Sequence, residues 1–188
     1  MHKFNPENAH RLHNDERRKI LPPEEILIEC GLKEGMTMAD VGCGSGYFTI
    51  PASKIVGNSG KVYAIDVQEE MLNRLKQNNL PDNVIVLLAE NDYKFPITDE
   101  ISDFTLLAFV VHENRDIERF LNEVKRITKD KGKVVILEWK KQFEEAGPPY
   151  EERISQVDLV KILDKLDFSI VEQGDINQSH YKIICLKK

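Results

Sequence analysis

Two rhythms of apolar residues divide this chain. From about residue 38 onward, short β-branched runs recur at 38–41, 61–65, 84–89, 104–110 and 133–138. Each is a nearly continuous apolar stretch, the pattern of a strand buried on both faces. Between the last two, Ile117, Phe120, Leu121, Val124 and Ile127 repeat at helical spacing, and Asp130-Lys131-Gly132 predicts the helix end. Strand and helix in alternation are the mark of an α/β protein with a parallel sheet.

The last forty residues change the pattern. Ser155, with Asp158 three residues later, predicts an N-cap ahead of the apolar stripe Val157, Val160, Leu163 and Leu166. Runs at 168–172 and 181–186 follow, separated by Gly174-Asp175-Ile176-Asn177-Gln178. That link is too short for a helical crossover, so the two runs are expected to pair antiparallel. Residues 1–37 carry no strand pattern. Pro22-Pro23-Glu24-Glu25 before Ile26, Leu27 and Ile28 predicts a helix with proline and acids in its first turn. The expected organisation is a helical cap or lid over 1–37 and one globular unit over 38–188.

Composition narrows the function. The longest apolar run, 106–111, is too short to span a bilayer, and the first residues lack the apolar core of a signal peptide. With 26 Lys+Arg against 32 Asp+Glu, the net charge of −6 argues against nucleic acid as a partner. Cys30, Cys43 and Cys185 are widely spaced, giving neither a disulfide framework nor a metal-ligand pattern. A cytoplasmic protein with no metal and no membrane insertion is expected.

Chemistry concentrates after the first strand. In Asp40-Val41-Gly42-Cys43-Gly44-Ser45-Gly46 three glycines let a ligand approach the backbone, and a helix is expected to open at about Tyr47. Asp66 ends the second strand about twenty residues later, where a carboxylate can accept both ribose hydroxyls. This pairing alone does not choose between a nicotinamide dinucleotide and an adenosylmethionine cofactor. Tyr47 stands where a dinucleotide fingerprint needs a small residue for close helix packing, which argues against the dinucleotide.

The stretches 41–49 and 60–67, closed by Glu70-Met71-Leu72, make the chain resemble a class I S-adenosylmethionine-dependent methyltransferase over about residues 20–188, in particular the ubiquinone/menaquinone-biosynthesis type. The resemblance implies a Rossmann-like, doubly wound sheet of seven strands, the last antiparallel. It implies S-adenosyl-L-methionine as cofactor, with Asp40, Gly42, Cys43, Gly44 and Gly46 beside its methionine portion and Asp66 on the ribose. Val67 and Met71 would flank the adenine, whose edge would meet Asn91 or Asp92, and Phe109 completes the expected cofactor-binding set. Family members usually carry an acid where Asn91 aligns; an amide can also accept from the adenine amino group.

The acceptor side is read from strand ends. His112 and Glu113 follow the fourth strand, and Glu138, Trp139 and Lys140 end the fifth, at the rim that borders the ligand crevice in open α/β sheets. If the last strand is antiparallel, His180 and Tyr181 begin at the same rim. His112 and His180 are the candidate catalytic bases, each equally readable as a structural histidine. Gly147-Pro148-Pro149-Tyr150 with Arg11, His13, Arg17 and Arg18 form a candidate pocket for a small-molecule methyl acceptor, or are loop and solvated charge. Cys43 reads as a packing residue, and three scattered cysteines do not suit an arsenic acceptor. Two other classes stay open: a nicotinamide-dependent oxidoreductase and a non-catalytic binding module.

Overall fold

The computed structural model describes residues 14–188. Two short helices, α1 (Asp15–Ile20) and α2 (Pro23–Glu29), lead into alternating strands and helices. These are β1 (Thr37–Val41), α3 (Thr49–Val56), β2 (Lys61–Asp66), α4 (Glu69–Lys76), β3 (Val84–Leu88), β4 (Ser102–Ala108), α5 (Ile117–Ile127) and β5 (Thr128–Trp139). The chain closes with α6 (Gln156–Lys165), β6 (Phe168–Asp175) and β7 (His180–Lys187).

All seven strands join one sheet in the order β3-β2-β1-β4-β5-β7-β6. Pairing is parallel from β3 to β5, while β7 runs antiparallel to both β5 and β6. The final pair is therefore antiparallel, as its short connection requires. Successive residues of a strand serve opposite faces. Val134 and Ile136 of β5 pack with Phe120, Val124, Leu159 and Leu163 of α5 and α6. Val135 and Leu137 pack with Leu27, Phe48, Ala52 and Val56 on the other face. The N-terminal helices are part of this second layer: Ile26 and Leu27 are buried, and Lys133 Nζ donates to Cys30 O at 2.6 Å, fastening the end of α2 to β5.

Three boundaries depart from the sequence pattern. Residues 130–132 do not end α5. The helix stops at Ile127, and the ladder jumps from Ser102↔Thr128 to Phe104↔Lys133, so Asp130-Lys131-Gly132 form a bulge inside β5, with Lys131 at φ 60°. The run 104–110 is cut at Ala108, because Phe109 adopts φ 61° and turns the chain into a short 3-10 helix over Val111–Glu113. Helix α3 opens at Thr49, later than Tyr47, since residues 42–48 are spent in the glycine turn. The edge strand β3 is only half-buried, unlike the apolar run it was read from. The caps at Asp116 and Ser155 accept N–H bonds from Arg119 (3.0 Å) and Asp158 (3.1 Å).

Candidate active site

Strand β1 is flanked by β2 on one side and β4 on the other, so the order reverses there. In such sheets the carboxyl ends at the switch point open a crevice. A cleft of about 790 Å³ occupies that place. It is lined by the ends of β1 (Asp40–Gly44), β2 (Asp66, Val67), β4 (Ala108–Val110) and β5 (Trp139), and by His180 at the start of β7. Antiparallel β7 brings its first residue to this rim, opposite Trp139 in the ladder.

The glycine turn is held from both ends. Gly42 has φ 71°, and a β-carbon there would lie 2.7 Å from Val110 Cγ2, so only glycine lets β1 pass this close to the β4 end. A β-carbon at Gly46, φ 94°, would run into Leu75 of α4. Gly46 stays outside the cleft lining. Asp66 Oδ2 accepts from Gly44 N and Oδ1 from Gln68 N, both at 2.8 Å, which fixes the carboxylate plane at the cleft edge. Asp40 is buried and accepts from Thr49 Oγ1 at 2.6 Å. Its burial raises its pKa to about 7; the Thr49 hydroxyl opposes the shift and nearby Asp66 adds to it. Cys43 lines the cleft with its thiol raised well above the usual value by burial and by Asp40 and Asp66, the opposite of an activated nucleophile.

Beyond Asp66 the lining turns apolar, with Val67, Met71, Ala89 and Phe95, and Asp92 beside them. Asn91 lies off the cleft. Its Oδ1 accepts from Tyr93 N at 2.9 Å, a local turn bond that uses the amide where a cofactor contact was expected.

The opposite end is aromatic. The His180 ring lies 4.2 Å from Trp139 and 5.0 Å from Phe109, centroid to centroid, and the Arg17 guanidinium sits 4.5 Å from the Tyr47 ring and 5.6 Å from that of Phe109. Two histidines border this region in contrasting states. His112 Nδ1 meets Glu138 Oε2 at 2.8 Å and Oε1 at 3.1 Å, in a pair almost closed to solvent. Burial lowers the pKa of His112, but the attraction and hydrogen bond of Glu138 outweigh it and leave the pKa raised. His180 has no such carboxylate. Burial, and then the charge of Arg17, push its pKa down to about 4. Two like groups moved apart in this way are suited to different tasks. Tyr181, next in sequence, points to the other face of the sheet, where it is buried with its hydroxyl donating to Ile154 O at 3.1 Å.

Two arrangements were not legible in the sequence. Glu138, fully buried, accepts from the backbone N–H of both His112 (3.2 Å) and Trp139 (3.1 Å) as well as from the imidazole, so it joins the ends of β4 and β5. Arg153, 2% exposed, shapes the cleft-lining loop. It donates to Pro148 O (2.9 Å), Lys140 O (3.1 Å) and Ala146 O (2.6 Å), and pairs with Glu144 at 2.7 Å. Gly147, φ 86°, packs on the Trp139 indole, where a β-carbon would come within 2.9 Å of the ring. Of the expected acceptor pocket, Arg17, Gly147, Pro148 and Pro149 line the cleft and Arg18 and Tyr150 do not; Arg11 and His13 lie outside the described residues.

Charge discriminates between ligands. Among the described residues the lining holds seven carboxyl side chains, at Glu16, Asp40, Asp66, Asp92, Glu113, Glu145 and Glu152, against one guanidinium, Arg17. Such a cleft favours a cationic ligand and opposes a pyrophosphate. The charge of the lining thus fits an S-adenosyl sulfonium better than a dinucleotide.

A family model described as a methyltransferase domain matches residues 39–136. Among curated relatives, demethylmenaquinone methyltransferase of Staphylococcus aureus (strain MRSA252) is 32% identical over 115 residues, which are 61% of this chain and 48% of that protein. The chain thus spans about half the length of the curated relatives it matches. A crystal structure of a SAM dependent methyltransferase from Aquifex aeolicus is 37% identical with TM-score 0.92, over 99% of this chain and 100% of that one. The [4+2]-cyclase SpnF shares the fold alone, at 15% identity and TM-score 0.78 over 93% of this chain and 84% of that one.

Proposed function

This chain belongs to the methyltransferase-domain family of S-adenosylmethionine-dependent enzymes, and from that premise we propose that it methylates a small planar acceptor seated against Phe109, Trp139 and His180. One observation carries the reading: a single cleft is lined both by the glycine turn with Asp40 and Asp66 and by the aromatic wall, so cofactor and acceptor share one space. Bound S-adenosylmethionine supplies a methyl carbon already activated by its sulfonium. Asp66 would hold the ribose, Val67, Met71 and Phe95 the adenine faces, and Asp92 the adenine edge. Asp40 and the backbone at Gly42 and Gly44 would meet the methionine portion.

The chain's own task is alignment and water exclusion, which can be worth about five to eight powers of ten in effective molarity. Where the acceptor must also lose a proton, His112 is the group to take it. Glu138 engages Nδ1, fixing the tautomer and leaving Nε2 as the basic nitrogen, and the raised pKa strengthens that base. His180, with its pKa near 4, is too weak a base for that role. The likeness to demethylmenaquinone methyltransferase supports a quinone-like ring as acceptor. No helix among the described residues is long and apolar enough to cross a membrane, and three buried, unpaired cysteines suit the reducing cytoplasm.

The test is S-adenosylhomocysteine formation from S-adenosylmethionine with a panel of planar phenols and hydroquinones beside aliphatic amines and acids. Turnover confined to planar hydroxylated rings supports the proposal. Turnover confined to aliphatic acceptors refutes the substrate class, and cofactor binding without turnover on any acceptor indicates a binding module.

A further inference from the structure

We propose that His180 Nε2 is the hydrogen-bond acceptor that selects methyl acceptors carrying a neutral O–H or N–H group, which makes His180 a specificity-determining residue of this site; the inference rests on the methyltransferase reading above.

Asn177 fixes the tautomer of His180. Its Nδ2 donates to Ile20 O at 2.9 Å, and its Oδ1 accepts from Ser179 N and His180 N, both at 2.9 Å. Turning the amide over would set its amino group against two N–H donors and its oxygen against a carbonyl, so the orientation is fixed by the network. The same Oδ1 lies 2.9 Å from His180 Nδ1. An amide oxygen can only accept, so Nδ1 carries a proton. Burial and Arg17 keep the ring neutral, with Arg153 acting in the same sense and Glu144 and Glu138 opposing. A neutral imidazole has one N–H, already assigned to Nδ1; Nε2 is therefore a bare lone pair.

That lone pair is buried and has no hydrogen-bond partner among the described residues, in a side chain 2% exposed. Orphaned buried acceptors are rare, and each calls for a physical reason. Here the ring lines the cleft, tilted against Trp139 and edge-on to Phe109. Phe109 is itself held at φ 61°, a costly backbone conformation for a bulky residue and one that clusters at ligand sites. A ring seated in this wall would satisfy Nε2 with a donor by parting the side chains that close the atom from solvent. A carboxylate would face the lone pair with another, and an ammonium group would meet Arg17, the charge that acts most strongly at His180 within an otherwise acidic cleft, so the matching group is a neutral hydroxyl or N–H.

The experiment uses protein saturated with S-adenosylhomocysteine and two probes, 1-naphthol and 1-methoxynaphthalene, titrated by calorimetry into wild type and His180→Phe. Phenylalanine keeps a ring in the wall and removes Nε2. Wild type should prefer the naphthol by on the order of tenfold, and the variant should bind both alike. A long-range nitrogen–proton spectrum of the wild-type histidines needs no variant to fold. It should show His180 with its proton on Nδ1, and an Nε2 signal that moves with 1-naphthol and not with the methyl ether. A proton on Nε2, equal affinities in wild type, a preference that survives in His180→Phe, or no binding of either probe to the loaded protein overturns the inference. Failure of S-adenosylhomocysteine to bind overturns the methyltransferase reading instead, while the tautomer stands on its own spectrum.

Discussion

Glu138→Gln exchanges one oxygen for an amino group at constant size, and the surroundings of Glu138 make the cost calculable. Its two oxygens serve three donors: Oε1 takes His112 N and Oε2 takes Trp139 N, with His112 Nδ1 within reach of both. In either orientation the amide's amino group confronts a backbone N–H, and one buried donor loses its acceptor. An orphaned buried polar group costs about 1–3 kcal/mol, which for a chain of this size lowers Tm by roughly 2–12 °C. The loss should also depend on pH. The folded pKa of His112 is raised above the ordinary histidine value, so its pairing stabilises the fold fully below about pH 6.5 and is lost as pH rises through the folded value. The stability gap between wild type and variant should therefore be largest in mild acid and narrow toward alkaline pH, without closing, because the orphaned N–H remains. Urea denaturation of both proteins between pH 6 and 9 reads this directly. Coincident curves at every pH would refute the geometry on which the proposed base depends.

Two further outcomes follow from the glycine turn. Gly42→Ala places an L-residue at φ 71° and presses on Val110, so it should lose roughly 2–5 kcal/mol of stability and weaken S-adenosylmethionine binding; an unchanged urea midpoint would contradict the close packing. Burial raises the folded pKa of Asp40 to about 7, so the folded protein keeps a proton that the unfolded chain releases near pH 4. Stability should fall as pH rises between these values, and Asp40→Asn, titrated in parallel, should lack that slope.

Most of the sheet was legible because buried parallel strands are near-continuous apolar runs, and the antiparallel end followed from a link too short to cross over. Two of the three boundaries failed where a residue other than glycine takes a positive φ: nothing in the apolar run around Phe109, or in Lys131, announces a turn. Asp40, Gly42, Gly44 and Asp66 could be grouped in advance since they sit at strand ends in fixed order, and all four line one cleft. Asn91 misled because a turn residue that bonds its own backbone looks, in one dimension, like one facing a ligand. The pairing of Glu138 with His112 needs β4 and β5 to be neighbours, and the role of Arg153 needs a folded loop around it, so both are properties of the assembled sheet. His180 was expected as a base, while its tautomer and weak basicity depend on Asn177 and Arg17, which only the fold brings to it.

The proposed activity turns on S-adenosylmethionine occupying the cleft at the β1 switch point. Isothermal calorimetry of wild type and Asp66→Ala against S-adenosylmethionine, S-adenosylhomocysteine and NADH tests it most directly. Both adenosyl ligands should bind, with a clear loss of affinity in Asp66→Ala while the fold stays intact by circular dichroism, and NADH should not bind to the acid-lined cleft. Binding of NADH alone, or adenosyl binding indifferent to Asp66, would contradict it.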